Sequence, residues 1–420
     1  MSTAGDWVPQ PNSAPAVEHW REALIKGRNG PAPLLANAIT ALRRDPAWSD
    51  VFAFDEFALS ASIRKESPLG GDRRVITDHE ERLTADWLQH NGVLVSPEVA
   101  GQAIQVVARD RMFHPVRDYL NGLTWDGTKR IGGWLNLYLG VEPSEYSVAV
   151  GAAFLTGAAA RIQQPGCKLD TVIILEGEQG IKKSTALKTM FWPWFTDEIA
   201  DISSKDASLQ ILGVWGVEFA ELDSLTRAES SKIKAFTSRS VDRFRPPYGR
   251  HLIETPRQCV FAGSVNHNAY LRDETGARRF LPVRCTRILI QELERDRDQL
   301  WAEAMAAYTA GASWWLQGAD LIRASEGEQA ARYEGSAWDS LIMPWAEEQI
   351  RRGAKSVGIP EILERCINKP AKEWSKADEM RVGSCLRQGK WQRYRDRREG
   401  WRYRPPVPAL VGTDDEVGTS

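Results

Sequence analysis

The pattern of apolar and polar positions is sharpest over residues 171–190, TVIILEGEQGIKKSTALKTM. Thr171, Val172, Ile173, Ile174 and Leu175 form a short, β-branched run without polar alternation, which predicts a strand buried on both faces. A glycine-bearing polar loop follows, and 185–190 has helical character. Three later apolar runs predict further strands: 214–219, leading into acids through 223; 258–265, ending at Asn266; and 280–283. Helical patterning marks 34–43, 50–59, 80–90, 144–164, 206–213, 289–308 and 320–345, with 144–164 opened by Pro143-Ser144 and stopped at Pro165-Gly166. The chain closes with helices at 359–367 and 375–389 and strands at 391–394 and 401–404 about a turn at 396–400, a winged-helix-like order. Strands alternating with helices make the middle of the chain α/β.

Composition adds bounds. A chain of 420 residues with 42% hydrophobic content and 17 Trp has enough material for two to four packed domains. The longest run of small apolar residues, 148–160, falls short of the roughly 20 needed to span a bilayer, and no signal peptide opens the chain, so a cytoplasmic protein with no membrane partner is expected. Cys167, Cys259, Cys285, Cys366 and Cys385 are odd in number and widely spaced, which argues against a disulfide framework or a zinc ribbon. The net charge of −2 hides a segregated distribution. Arg381, Arg387, Lys390, Arg393, Arg395, Arg397, Arg398, Arg402 and Arg404 crowd one short segment, interleaved with Trp391, Tyr394, Trp401 and Tyr403.

The candidate chemistry begins in the loop after the first strand. Gly177, Glu178, Gln179, Gly180, Ile181, Lys182, Lys183, Ser184 and Thr185 have the spacing of a phosphate-binding loop, in which backbone N–H groups and a helix start receive phosphates. Lys183 would reach the β- and γ-phosphates and Ser184 would ligate Mg²⁺, so ATP and Mg²⁺ are the expected cofactors. Lys182 departs from the pattern, which has glycine there. The spacing alone arises by chance roughly 0.2 times in a chain this long, so the flanking strand and helix carry the reading. Glu218, Glu221 and Asp223 end the next strand and suit a magnesium ligand and a water-polarising base; the plainer alternative is a strand with one polar face. Asn266 suits a water-orienting carboxamide or a turn. Arg278 and Arg279 read as solvated arginines or as a transition-state finger. Arg243, Arg245 and Arg250 flank a Pro-Pro-Tyr-Gly turn, as in a surface loop or a hairpin that grips a nucleic-acid backbone.

The stretches HPVRDYLNGLTWDG, LEGEQGIKKST, WGVEFAELDSL, IKAFTSRSVDRFRPPYGR, PRQCVFAGSVN, RDETGARRF and RDRDQLWAEA, in this order, resemble the virulence-associated E family of phage-, prophage- and island-encoded ATPases, relatives of superfamily-three helicases and phage helicase-primases. The resemblance is specific over 113–315 and looser outside it. It implies a P-loop NTPase core of AAA+/superfamily-three helicase-like fold at 169–318, behind a mostly helical domain at 16–110 and a helical oligomerisation region at 111–168. A helical linker at 319–353 and the winged-helix-like segment at 354–404 follow, with disordered ends at 1–15 and 405–420. It further implies that Lys183 and Ser184 are the loop's lysine and hydroxyl, Glu218, Glu221 and Asp223 the second-strand acids, Asn266 the sensor, and Arg278 or Arg279 a finger acting on a neighbouring subunit. The expected activity is that of an ATP-hydrolysing, hexameric DNA helicase in replication of a mobile element, working on single-stranded or forked DNA. The rival expectation is an ATP-dependent switch that recruits other replication proteins. DNA contacts are assigned to Arg243, Arg245, Arg250, Arg393, Arg395, Arg397, Arg398 and Arg402.

Overall fold

Five strands, β1 (Val172–Glu176), β2 (Phe195–Thr196), β3 (Gly216–Phe219), β4 (Val260–Val265) and β5 (Phe280–Arg284), form one sheet in the order β5-β1-β4-β3-β2. Every pairing in it is parallel. This computed structural model describes residues 20–70, 75–199, 202, 204, 206–220, 227–246, 251–266, 277–332, 338–396 and 400–406. The expected disordered segment at 1–15 and most of that at 405–420 lie outside them.

β1 behaves as its unbroken apolar run requires. Ile173 and Leu175 enter one core, Val172 and Ile174 the other. The helices around the sheet are α1 (Glu145–Gln163), α2 (Lys183–Phe191), α3 (Arg227–Thr237), α4 (Ile290–Thr309) and α5 (Ala319–Ala331). α1, α2 and α4 fill the first face, where the rings of Trp215 and Trp301 lie 4.2 Å apart between their centroids and their indole N–H groups donate to Ala158 O and Met190 O. α3 closes the second face through Ile233 and Phe236. α1 starts at Ser144, whose hydroxyl and that of Ser147 cap each other's backbone N–H groups. Because β4 lies between β1 and β3, the carboxyl ends of these three strands lie side by side at one edge of the sheet.

The amino-terminal unit joins three helices to a small sheet, and one expected helix is corrected. The segment 50–59, expected as helix, contains the strand Phe52–Asp55, which pairs with Ser60–Ile63 and with Met112–Phe113. Phe52, Ala53 and Phe54 are all buried, while Asp50 takes a φ of 63° and the Asp55 carboxylate accepts from the N–H groups of Phe57 and Ala58. That turn chemistry ends the run before a helix can form. Helices Leu35–Arg44, Asp78–His90 and Pro97–Ala108 pack around this sheet.

The carboxyl-terminal unit comprises α6 (Asp339–Arg351), β6 (Val357–Gly358), the short helical segments Ile359–Glu361 and Ile362–Cys366, α7 (Lys376–Gln388), β7 (Gln392–Asp396) and β8 (Gly400–Arg404). Its strands are antiparallel in the order β6-β8-β7. Ile342 and Ala346 of α6 are fully buried in its core with Leu363, Val382, Trp391 and Tyr403. The expected linker at 319–353 is therefore divided: α5 packs on β5 and α1, whereas α6 belongs to the carboxyl-terminal core. Among the described residues no helix is long and apolar enough to cross a membrane.

Candidate functional site

The loop between β1 and α2 owes its path to three residues. Gly177 has a φ of 150°, and a Cβ there would lie 2.6 Å from Cys285 O; Gly180 has a φ of 85°. Lys182, at the start of α2, is also left-handed, with a φ of 76°. That conformation is the physical reason the pattern favours glycine at this position, since a side chain there costs about 1–2 kcal/mol. Lys182→Gly should accordingly stabilise the protein by up to about 1 kcal/mol and preserve or raise ATP affinity. Thermal unfolding and nucleotide titration check this; a large loss of affinity would mean that the Lys182 side chain contacts phosphate.

Lys183 is buried, and its Nζ donates to Gly177 O at 2.8 Å, Glu178 O at 2.9 Å and Asn266 Oδ1 at 3.2 Å. The ammonium is thus held at the loop by two backbone carbonyls and one carboxamide oxygen. Asn266 follows β4 directly, so the strand order brings it beside the loop. One residue along, Ser184 Oγ donates to Glu218 Oε1 at 2.7 Å. Glu218 stands on β3 and is 1% exposed, and among the described residues its Oε2 has no hydrogen-bond partner. Burial pushes its carboxyl above the ordinary range, opposed by the hydroxyls of Ser264 and Ser184 and by Lys183. A buried carboxylate with one unsatisfied oxygen beside a serine hydroxyl is a fitting donor set for Mg²⁺.

Glu221 and Asp223 lie outside the described residues. Arg278 and Arg279 form the short turn Ala277–Arg279 at the amino end of β5, and Phe280 pairs with Val172 at the amino end of β1. The whole of β1, roughly 15 Å, therefore separates them from their own chain's loop. Arg278 is exposed, and Arg279 Nε lies 3.6 Å from Asp170 Oδ2.

The expected hairpin is present as Val241–Phe244 paired antiparallel with Ile253–Pro256. Arg243 and Arg245 are exposed on it, Arg243 facing Glu254 across the strands; Arg250 lies outside the described residues. Its base is fixed by Arg257, which is buried, bonds the Asp242 carboxylate and Phe236 O, and lies 4.5 Å from the Phe236 ring. Residues 257–259 link the hairpin's second strand to β4, the strand that ends just before Asn266.

In the carboxyl-terminal unit, Arg393 and Arg395 are exposed, and Arg393 lies 4.0 Å from the ring of Trp401, itself half exposed. Arg402 of the expected DNA-contacting set is engaged within the unit. Its guanidinium is tied back onto the unit, with Nη2 at 3.1 Å from Glu361 Oε2 and Nε at 2.8 Å from Ser356 Oγ. Trp391 and Tyr403 are core residues, and Tyr403, one position along β8, projects from the face opposite to Arg402. Arg397 and Arg398 lie outside the described residues.

Two features escaped the sequence reading. Ser264 on β4 stands beside Glu218, indistinguishable in sequence from any strand serine. Glu176, the last residue of β1, is 1% exposed and ion-paired with Arg332. A carboxylate closing an otherwise apolar buried strand was the available signal, because such a group requires a partner.

The family model for the virulence-associated protein E-like domain matches residues 120–333. Two solved apo structures of the C-terminal region of NrS-1 (305–718) are each 12% identical and align over 84% of this chain and 95% of theirs, with TM-scores of 0.43 and 0.45. At such scores no residue assignment is carried across. No curated protein matches the chain.

Proposed function

The chain belongs to the virulence-associated protein E-like family, and on that premise we propose that it is an ATP-hydrolysing, ring-forming DNA helicase or translocase acting in replication of a phage, prophage or genomic island. The observation that carries the reading is the convergence of Lys183, Asn266, Ser184 and Glu218 where β1, β4 and β3 deliver their carboxyl ends. A helix start, a buried ammonium and an incompletely satisfied carboxylate together suit a magnesium-bound polyphosphate. Lys183 would leave its two carbonyl acceptors for the β- and γ-phosphates, and Asn266, already bonded to it, would orient the attacking water. Ser184 and Glu218 would hold Mg²⁺, which when bound neutralises charge on the phosphate oxygens. Glu221 is the proposed base and Asp223 a further acid of this P-loop core.

The position of Arg278 and Arg279 supports hydrolysis between subunits, because neither can serve the loop of its own chain across the length of β1. DNA would contact Arg243 and Arg245 on the hairpin and Arg393, Arg395 and Trp401 on the carboxyl-terminal unit, read here as winged-helix-like. That unit has a hydrophobic core of its own, which also suits the second reading, an ATP-dependent switch that binds DNA and recruits replication proteins without unwinding. ATPase rates with no DNA and with single-stranded, forked and duplex DNA test the proposal. Stimulation by single-stranded or forked DNA is expected, and no hydrolysis under any condition would contradict it.

Backbone-dominated DNA binding should weaken steeply with salt. Replacing Arg393 and Arg395 together by Ala should lower affinity and flatten the log–log salt slope by about 2, one unit for each lost phosphate contact. Fluorescence anisotropy over a salt series measures both. Unchanged affinity and slope would relocate the main DNA contact to the hairpin at Arg243.

A further inference from the structure

We propose that Arg332 is a positioning residue for the phosphate loop, gripping Glu176 so that the strand leading into the loop is fixed and presents no unpaired negative charge to an incoming polyphosphate. The inference rests on the nucleotide reading above. Glu176 immediately precedes Gly177, and one guanidinium holds both its oxygens: Arg332 Nε to Oε1 at 2.6 Å and Nη2 to Oε2 at 2.8 Å. Arg332 Nη1 in turn donates to Glu328 O at 3.0 Å and to the Glu328 carboxylate. This two-pronged geometry is the strongest that an arginine and a carboxylate can form.

The surroundings are built for the pair. Ser325 and Gln329 on α5 are buried, and Gln329 Nε2 donates to Ser325 Oγ and to Phe280 O, both at 2.9 Å, which pins α5 to β5. Tyr146 of α1 is buried nearby, its hydroxyl made harder to ionise by burial and by Glu328. Cys285 N donates to Glu176 O at 2.8 Å, fixing the backbone on the other side. The next two residues supply the carbonyls that hold Lys183, so any displacement of Glu176 moves the resting place of the ammonium. The family match takes in Tyr146, Glu176 and Arg332 and ends at residue 333, so the clamp lies wholly within the matched segment.

A structural ion pair with no bearing on the loop would lower overall stability when broken and do nothing specific. A positioning pair has a sharper signature, because the harm comes from the carboxylate left behind. The experiment uses full-length Arg332→Ala, Arg332→Lys, Glu176→Gln and the double variant Arg332→Ala/Glu176→Gln. Hydrogen exchange over 176–184 and affinity for a fluorescent ATP analogue are measured on each. In Arg332→Ala, loop exchange should quicken and analogue affinity fall, each by about tenfold or more, with Arg332→Lys intermediate. The double variant should recover to within about threefold of Glu176→Gln, since no charge is then stranded. Unchanged loop exchange in both Arg332 variants, or a double variant as weak as Arg332→Ala, would overturn the positioning role. Failure of the unmutated protein to take up the analogue would instead overturn the nucleotide reading, and the exchange data would still decide whether Arg332 fixes the loop.

Discussion

Lys183→Ala should lower ATP hydrolysis by about 10²-fold or more, because it removes a buried ammonium placed at the loop to meet the β- and γ-phosphates. The structure adds a second consequence. Lys183 is buried and satisfies Gly177 O, Glu178 O and Asn266 Oδ1, so its loss also deprives these acceptors of a donor, at about 1–3 kcal/mol of local stability. Phosphate release at saturating ATP, set beside a thermal unfolding curve, separates the two effects: the rate should collapse while the protein stays folded at 25 °C. Turnover within a few-fold of the parent protein would remove Lys183 from the chemistry.

Removing the arginine that acts as finger should cost about 10³–10⁵ in hydrolysis rate while nucleotide binding survives. The candidates, Arg278 and Arg279, stand at the opposite end of β5 from the carboxyl-terminal edge where the loop lies. They and Lys183 would then serve different protomers. An Arg278→Ala or Arg279→Ala chain lacks a donor but keeps an intact pocket, and a Lys183→Ala chain has the reverse defect. Mixing the two inactive proteins should restore part of the activity wherever a sound pocket meets a sound finger. The ATPase rate across mixing ratios measures this, with DNA present and subunit exchange verified by size analysis. If exchange occurs and no ratio restores activity, the arginines act within their own chain, and the contact of Arg279 with Asp170 becomes its whole role.

Much of the sheet and of the loop was legible because local signals and tertiary context agree there. The apolar run of β1 is buried on both faces, and the residues expected at strand ends, Glu218 and Asn266, do meet Ser184 and Lys183. Asp50–Asp55 misled because a short aromatic run has no decisive period, and only its turn residues identify it as a strand. Arg402 looked like its neighbours in a basic segment, yet Ser356 and Glu361, the latter 41 positions earlier in the chain, tie its guanidinium back onto the unit. Arg257 is withdrawn from the hairpin's surface in the same way by Asp242. The pairing of Glu176 with Arg332 spans 156 positions, and nothing local in the sequence announces a contact at that distance.

The central claim is that hydrolysis at this site drives movement on DNA, and strand displacement on a forked duplex tests it most directly. Excess labelled fork, the full-length protein and ATP are combined, with Lys183→Ala and a non-hydrolysable ATP analogue as controls. The motor reading requires several forks separated per assembled protein, with both controls inactive. ATP hydrolysis stimulated by the fork without any strand separation would contradict it and leave the DNA-bound switch as the function.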